Sequence, residues 1–201
     1  MSSLSLHTSD GQTLAADLAE PAGGGRGGVV VCHPHPLYGG NRFHPVVDAL
    51  FRALPAAGFR TLRFDFRAAH DGGIAERFDV VAALDALTAA GRAELPLYVA
   101  GYSFGAIVAL GTDDARIAGV VAIAPPLSSD VPAHAGPALV LSPRHDQFCP
   151  PEQAAAITAR WPDTTVDTIE GADHFLVGAA AAAAARTVAW IAERPPPAQE
   201  A

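Results

Sequence analysis

The chain has 201 residues, half of them apolar, with 13 basic and 21 acidic side chains and a net charge of −8. That length suits one α/β domain with a sizeable core, and no run reaches the roughly 18 uninterrupted apolar residues of a membrane span. The acidic balance argues against nucleic-acid backbones and anionic membranes as partners.

The first residues, MSSLSLHTSDG, lack the basic start and apolar core of a secretory signal. Two cysteines, Cys32 and Cys149, make no disulfide framework, so a reduced cytoplasm is the expected setting. Residues 3–7 and 12–18 flank Ser9-Asp10-Gly11 and predict a hairpin. The glycine-rich stretch 22–28 reads as a loop without the Lys-Ser/Thr ending of a P-loop. A buried strand over 28–32 runs into residues 33–40, a segment too rich in Pro and Gly to be regular. Val46, Val47, Leu50 and Leu54 recur at helical spacing, with Pro55 and Gly58 ending that helix. A strand follows over 61–66, then a loop over 67–78, then a helix marked by Val80, Val81, Leu84 and Leu87 and stopped at Gly91. Residues 95–100 predict the next strand and 104–110 the helix after it.

Beyond these come strands at 119–124 and 138–142 joined by a Pro-rich loop, a helix over 152–161 and a short strand over 165–169. The alanine run 179–185 predicts a helix, alanine having the best propensity, and Val188, Trp190 and Ile191 continue it. One domain over 1–194 is expected, with 195–201 as a frayed tail. A hairpin followed by alternating strands and helices predicts an α/β fold, a mostly parallel sheet with helices on both faces.

Gly101-Tyr102-Ser103-Phe104-Gly105 spells G-x-S-x-G between a predicted strand and a predicted helix. The spacing suits a sharp turn that lifts a serine hydroxyl above the sheet edge. Its glycines are needed because the turn leaves no room for a Cβ. Such a serine requires a base, an acid to orient the base, and donors for an oxyanion. Downstream, Asp146 follows the 138–142 strand and His174 follows the last strand, which makes them the candidate acid and base. Asp163 and Asp167 are weaker acids, one in a turn and one within a strand. His145 is a rival base but lies in the acid's own loop. The backbone N–H of Phe104 is one expected oxyanion donor. The other should come from the loop after the 28–32 strand, where Pro34 and Pro36 have no N–H; His35 is preferred, with Leu37 second. His33, His35 and His44 fit no known zinc spacing, so neither metal nor cofactor is expected. Cys32 and Cys149 read as unreactive thiols.

With those residues in place, the chain resembles the α/β-hydrolase superfamily, and most closely its small dienelactone-hydrolase-like members that lack a lid. The resemblance covers roughly residues 27–192 and rests on HPHPLYGGN (33–41), FDFR (64–67), GYSFG (101–105), HDQFCP (145–150) and GADHFL (171–176). It implies the α/β-hydrolase fold without a lid domain and serine-type hydrolysis of carboxylic esters, with Ser103, Asp146 and His174 in the family's three positions. True dienelactone hydrolases carry a cysteine where Ser103 stands, and the segment 68–73 departs from the glycine-first turn usual after the FDFR-like strand. Between the strands ending at Ala124 and resuming near Ala138 the chain is too short for a helical cap, which predicts an open cleft and a preference for short acyl chains. An acyltransferase or small peptidase on the same three residues, or a catalytically idle binding module, are the alternatives.

Overall fold

Val29, Val30, Val31 and Cys32 are all buried, yet they serve two different cores. Val30 and Cys32 face one and Val29 and Val31 the other, as the two-residue period of a strand requires. A strand apolar on both sides belongs in the middle of a sheet covered on both faces, and it lies there in the computed structural model, which describes residues 1–23, 25–89 and 95–194. The strands are β1 (Ser2–His7), β2 (Thr13–Ala19), β3 (Gly27–Cys32), β4 (Phe59–Phe64), β5 (Leu97–Tyr102), β6 (Ile117–Ile123), β7 (Ala138–His145) and β8 (Thr164–Asp173). They form one sheet in the order β1-β2-β4-β3-β5-β6-β7-β8. β1 and β2 form the antiparallel hairpin, β2 pairs antiparallel with β4, and every later pairing is parallel.

The helices are α1 (Pro45–Ala56), α2 (Glu76–Thr88), α3 (Phe104–Gly111), α4 (Pro151–Thr158) and α5 (Ala180–Ala192). Residues of α2, α3 and α4 pack into one core and those of α1 and α5 into the other. Each Val or Leu fully buried there contributes about 1.5–3 kcal/mol. The neighbouring parallel strands β3 and β5 send their chains to opposite faces, β3 into α1 and β5 into α3. That divergence opens a crevice above their carboxyl ends, the place where ligands settle in open α/β sheets. Between β6 and β7, residues 125–137 contain no helix, so no lid rises there.

Several expected boundaries move, for physical reasons. β4 covers 59–64 rather than 61–66, its pairing running from Phe59 opposite Gly27 on β3 to Phe64 opposite Ala16 on β2. Arg63 is buried, its charge met by Asp17 at 3.2 Å and Asp48 at 3.1 Å. α1 runs through Pro55 to Ala56, since a proline in the last turn gives up only one hydrogen bond. Pro36–Tyr38, expected to be irregular, forms one turn of 3-10 helix. α4 ends at Thr158, short of Trp161. β7 and β8 extend well past 142 and 169, their ladder continuing to His145 opposite Asp173. The expected helix stop at Gly91 and the tail 195–201 lie outside the described residues.

Candidate active site

Ser103 follows β5 directly and has φ 53° and ψ −114°, a conformation that costs a non-glycine residue about 1–3 kcal/mol. The surroundings hold it there: the Ser103 N–H donates to the Ile123 carbonyl at 2.9 Å. The two glycines of the motif permit the turn. A Cβ on Gly101 would lie 2.2 Å from the Gly105 carbonyl oxygen, and one on Gly105 would lie 2.5 Å from the carbonyls of Cys32 and His33. Neither position admits a side chain, and α3 therefore sits against the end of β3.

The His174 ring is 6% exposed and lies between two partners. Its Nε2 is 3.0 Å from Ser103 Oγ, and its Nδ1 is 2.9 and 3.1 Å from the two oxygens of Asp146. A carboxylate accepts only, so Nδ1 carries the proton and Nε2 presents a lone pair to the serine. Asp146 is buried, and its Oδ1 also accepts the N–H groups of Phe148 at 2.8 Å and Cys149 at 3.2 Å. The Ser142 hydroxyl donates to the Cys149 carbonyl at 3.0 Å and ties this turn back to β7. The three side chains thus form a linear serine–histidine–carboxylate arrangement across the ends of β5, β8 and β7.

The alternatives are placed elsewhere. His145 is exposed in the β7–β8 ladder. Asp167 pairs with Arg186, and Asp163 lies 3.5 Å from Arg194 at the amino end of β8. Neither reaches His174. Cys32 and Cys149 are both buried, and burial raises both thiols, which keeps them protonated.

On the other side of Ser103, the N–H of Phe104 heads α3 and has no acceptor among the described residues, and neither has the N–H of His35. The N–H of Leu37 is engaged: it donates to His35 Nδ1 at 3.2 Å. Of the two expected donors in this loop, His35 therefore remains free. The His35 ring packs 4.7 Å from that of Phe104 and 4.8 Å from that of His70, and burial followed by the nearby His70 holds it below the usual histidine range.

Four side chains support the site through hydrogen bonds that the sequence did not specify. The Tyr102 hydroxyl donates to the His174 carbonyl at 2.8 Å, so the residue before Ser103 clamps the segment that bears His174. Burial, with Asp146 and Asp173 nearby, pushes that phenol up to about 12, and it stays a donor at neutral pH. His33 accepts the Phe66 N–H on Nε2 at 2.9 Å and donates from Nδ1 to the Pro34 carbonyl at 2.6 Å. His44 caps α1 by accepting the Val46 N–H at 3.3 Å. The histidines of the loop after β3 are thus engaged by backbone groups. Glu76, fully buried, accepts the N–H groups of Asp71 at 2.8 Å and Gly73 at 2.9 Å, which orders the loop ahead of α2. Only its spacing from Gly73 could have signalled that role. Among the described residues, no three His, Cys, Asp or Glu side chains converge as metal ligands.

A cleft of about 590 Å³ lies away from this arrangement, between the end of α3, the start of β6 and residues 131–136. It forms where the helix-free connection leaves α3 uncovered, and it contains neither serine nor cysteine.

No family model matches the chain. An uncharacterized protein of Rickettsia prowazekii is 35% identical over 108 residues; the match takes in 50% of this chain and 45% of that protein, so it spans less than half of that relative's length. Among solved structures, the chain is similar to an α/β serine hydrolase homologue from Coxiella burnetii, with a TM-score of 0.84 and 27% identity over 94% of this chain and 97% of that one. It is similar to an α/β serine hydrolase without a lid from Xanthomonas campestris, with a TM-score of 0.80 and 27% identity over 96% of both chains. An esterase of Pyrococcus furiosus, 17% identical over 94% of this chain and 91% of that one at a TM-score of 0.79, shares the fold.

Proposed function

This chain is a small α/β serine hydrolase homologue without a lid, and we propose that it hydrolyses carboxylic esters through Ser103, His174 and Asp146. The observation that supports this most is the unbroken run from Ser103 Oγ through His174 to Asp146, with no contact longer than 3.1 Å. Ser103 Oγ attacks the ester carbonyl carbon and gives its proton to His174 Nε2. The carbonyl oxygen becomes an oxyanion held by the N–H groups of Phe104 and His35. Asp146 keeps the imidazole oriented and stabilises its charged form. The carbon–oxygen bond to the alcohol then breaks, and His174 Nε2 returns the proton to the departing oxygen. Water repeats the sequence on the acyl-enzyme and frees Ser103. An esterase among the structures that share this fold is in keeping with the reading.

The substrate is a small-molecule ester, and the proposed acyl chains are short. The connection over 125–137 raises no cap over Ser103, and each methylene left in water forfeits up to about 0.8 kcal/mol of burial. Among the described residues, no helix is long and apolar enough to cross a membrane. One domain over 1–194 working in the cytoplasm, without metal or cofactor, completes the proposal.

A panel of nitrophenyl esters from acetyl to dodecanoyl tests it. Wild type should hydrolyse the short members best, and Ser103→Ala should lose at least about 10⁴-fold in kcat/KM, since the members of such a triad act as a unit. Undiminished hydrolysis by Ser103→Ala would refute the mechanism. A kcat/KM that climbs steadily to dodecanoyl would refute the chain-length assignment.

A further inference from the structure

Large apolar side chains left in water are unevenly placed on this molecule. Apart from Met1, each one among the described residues stands where the chain passes from a strand's carboxyl end into the following helix, or in that helix's first turn. The amino-terminal edge of the sheet has none of them. An apolar collar around one edge of an acidic protein marks a surface that is covered when the protein works.

Two of these side chains touch the base itself. Phe148, 57% exposed, stands edge-on to the His174 imidazole with ring centroids 4.4 Å apart and planes at 61°. Phe175, 60% exposed, lies at 5.9 Å and 88°. They come from different elements, one from the turn after β7 and one from the segment after β8, and they flank one ring. Neither belongs to a core cluster. Val177, two residues beyond Phe175 in the same segment, is 88% exposed.

Resting on the esterase reading, the chemistry of His174 says which half of the substrate meets them. The acyl half is fixed by its carbonyl oxygen at the Phe104 and His35 N–H groups, on the far side of Ser103. The alcohol half must place its oxygen within hydrogen-bond reach of His174 Nε2, because that nitrogen supplies the proton when the carbon–oxygen bond breaks. The carbon body attached to that oxygen therefore leaves past the rings beside the imidazole. We propose that Phe148 and Phe175 form an alcohol-side subsite, and that the enzyme selects esters of bulky, uncharged, apolar alcohols. Asp173 stands on the same strand end and accepts the Phe175 N–H at 3.0 Å, while Glu170 is paired with Arg144 at 2.8 Å; among the described residues no arginine stacks on either ring. The Asp173 carboxylate beside Phe175 disfavours an anionic alcohol.

Ethyl acetate and 2-phenylethyl acetate test the proposal, because they form the same acetyl-enzyme and release alcohols of similar acidity. Differences in kcat/KM then report acylation and the alcohol subsite, while deacylation is common to both. Wild type should favour the phenylethyl ester by about tenfold, the effect of covering a large part of one aromatic face. Phe148→Ala and Phe175→Ala should each lower that ratio severalfold, and Phe148→Leu and Phe175→Leu, which keep apolar volume, should retain an intermediate ratio. The ratio is internal to each variant, so partial loss of folded protein does not mimic the effect. Equal kcat/KM for the two esters in wild type would overturn the proposal while leaving the esterase reading intact. So would an equal loss on both esters in the alanine variants, which would mean that the rings serve only to position His174. Hydrolysis of neither ester by wild type, or hydrolysis of both by Ser103→Ala, would instead overturn the esterase reading on which it rests.

Discussion

At the scale of single residues, His33 shows how a side chain with no part in the chemistry sets the site. It is 1% exposed and joins the Phe66 N–H after β4 to the Pro34 carbonyl after β3, one residue before the free N–H of His35. Both ring nitrogens are used by the neutral form, Nδ1 as donor and Nε2 as acceptor, so a second proton must break the bond from Phe66. Burial pushes this histidine below its ordinary value of 6.5, against the opposing effects of the Pro34 carbonyl and Asp65. A histidine lowered in the folded state takes up its proton first in the unfolded chain. Its contribution is fully present above about 6.5 and is lost as pH falls through the lower, folded value. Urea melts between pH 8 and pH 5 should therefore show wild type losing stability on the acid side. His33→Gln should flatten that slope without abolishing it, because His44 and His134 are lowered by burial as well. An unchanged slope in His33→Gln would assign the acid sensitivity to other groups.

Among the elements, what the sequence made legible depended on how polar each strand end is. β3, β5 and the α5 alanine run were readable from apolar pattern alone, and Ser103 with them, because G-x-S-x-G marks its own turn. β7 and β8 were cut short in that reading at the point where their sequences turn polar. Arg144 and Glu170 pair across the two strands at 2.8 Å, and such cross-strand charge carries no hydropathy signal. Asp146 and His174 could still be singled out as candidates, since each lies within one residue of where its strand ends. The Tyr102 and His33 hydrogen bonds were not legible, because they join residues 72 and 33 positions apart and nothing local announces them. Position in the elements also separates the two candidate acids. Asp167 lies within β8 paired with Arg186, and Asp146 lies in the turn after β7 against His174. Asp146→Asn should lower kcat/KM by about 10³–10⁴-fold by freeing the imidazole to adopt the wrong tautomer. Asp167→Asn should stay within a few-fold of wild type. The reverse ranking would mean that the carboxylate serving His174 is misassigned.

For the whole molecule, function follows from which way the chain leaves the sheet. β3 and β5 are neighbours that turn to opposite faces, and the crevice between their exits receives Ser103 from one and His35 from the other. β7 and β8 carry Asp146 and His174 toward that crevice from the side, and the helix-free link between β6 and β7 leaves it open. Three side chains spread over 72 residues of sequence meet only because these strands are parallel and end at the same edge. The account stands or falls on whether that meeting activates one serine among the several in the chain. A fluorophosphonate probe, followed by digestion and mass spectrometry, reads this directly on the folded protein. Labelling confined to Ser103, absent from Ser103→Ala and slowed by orders of magnitude in His174→Ala, is the predicted result. Labelling on another residue, or labelling that persists in Ser103→Ala, would contradict it.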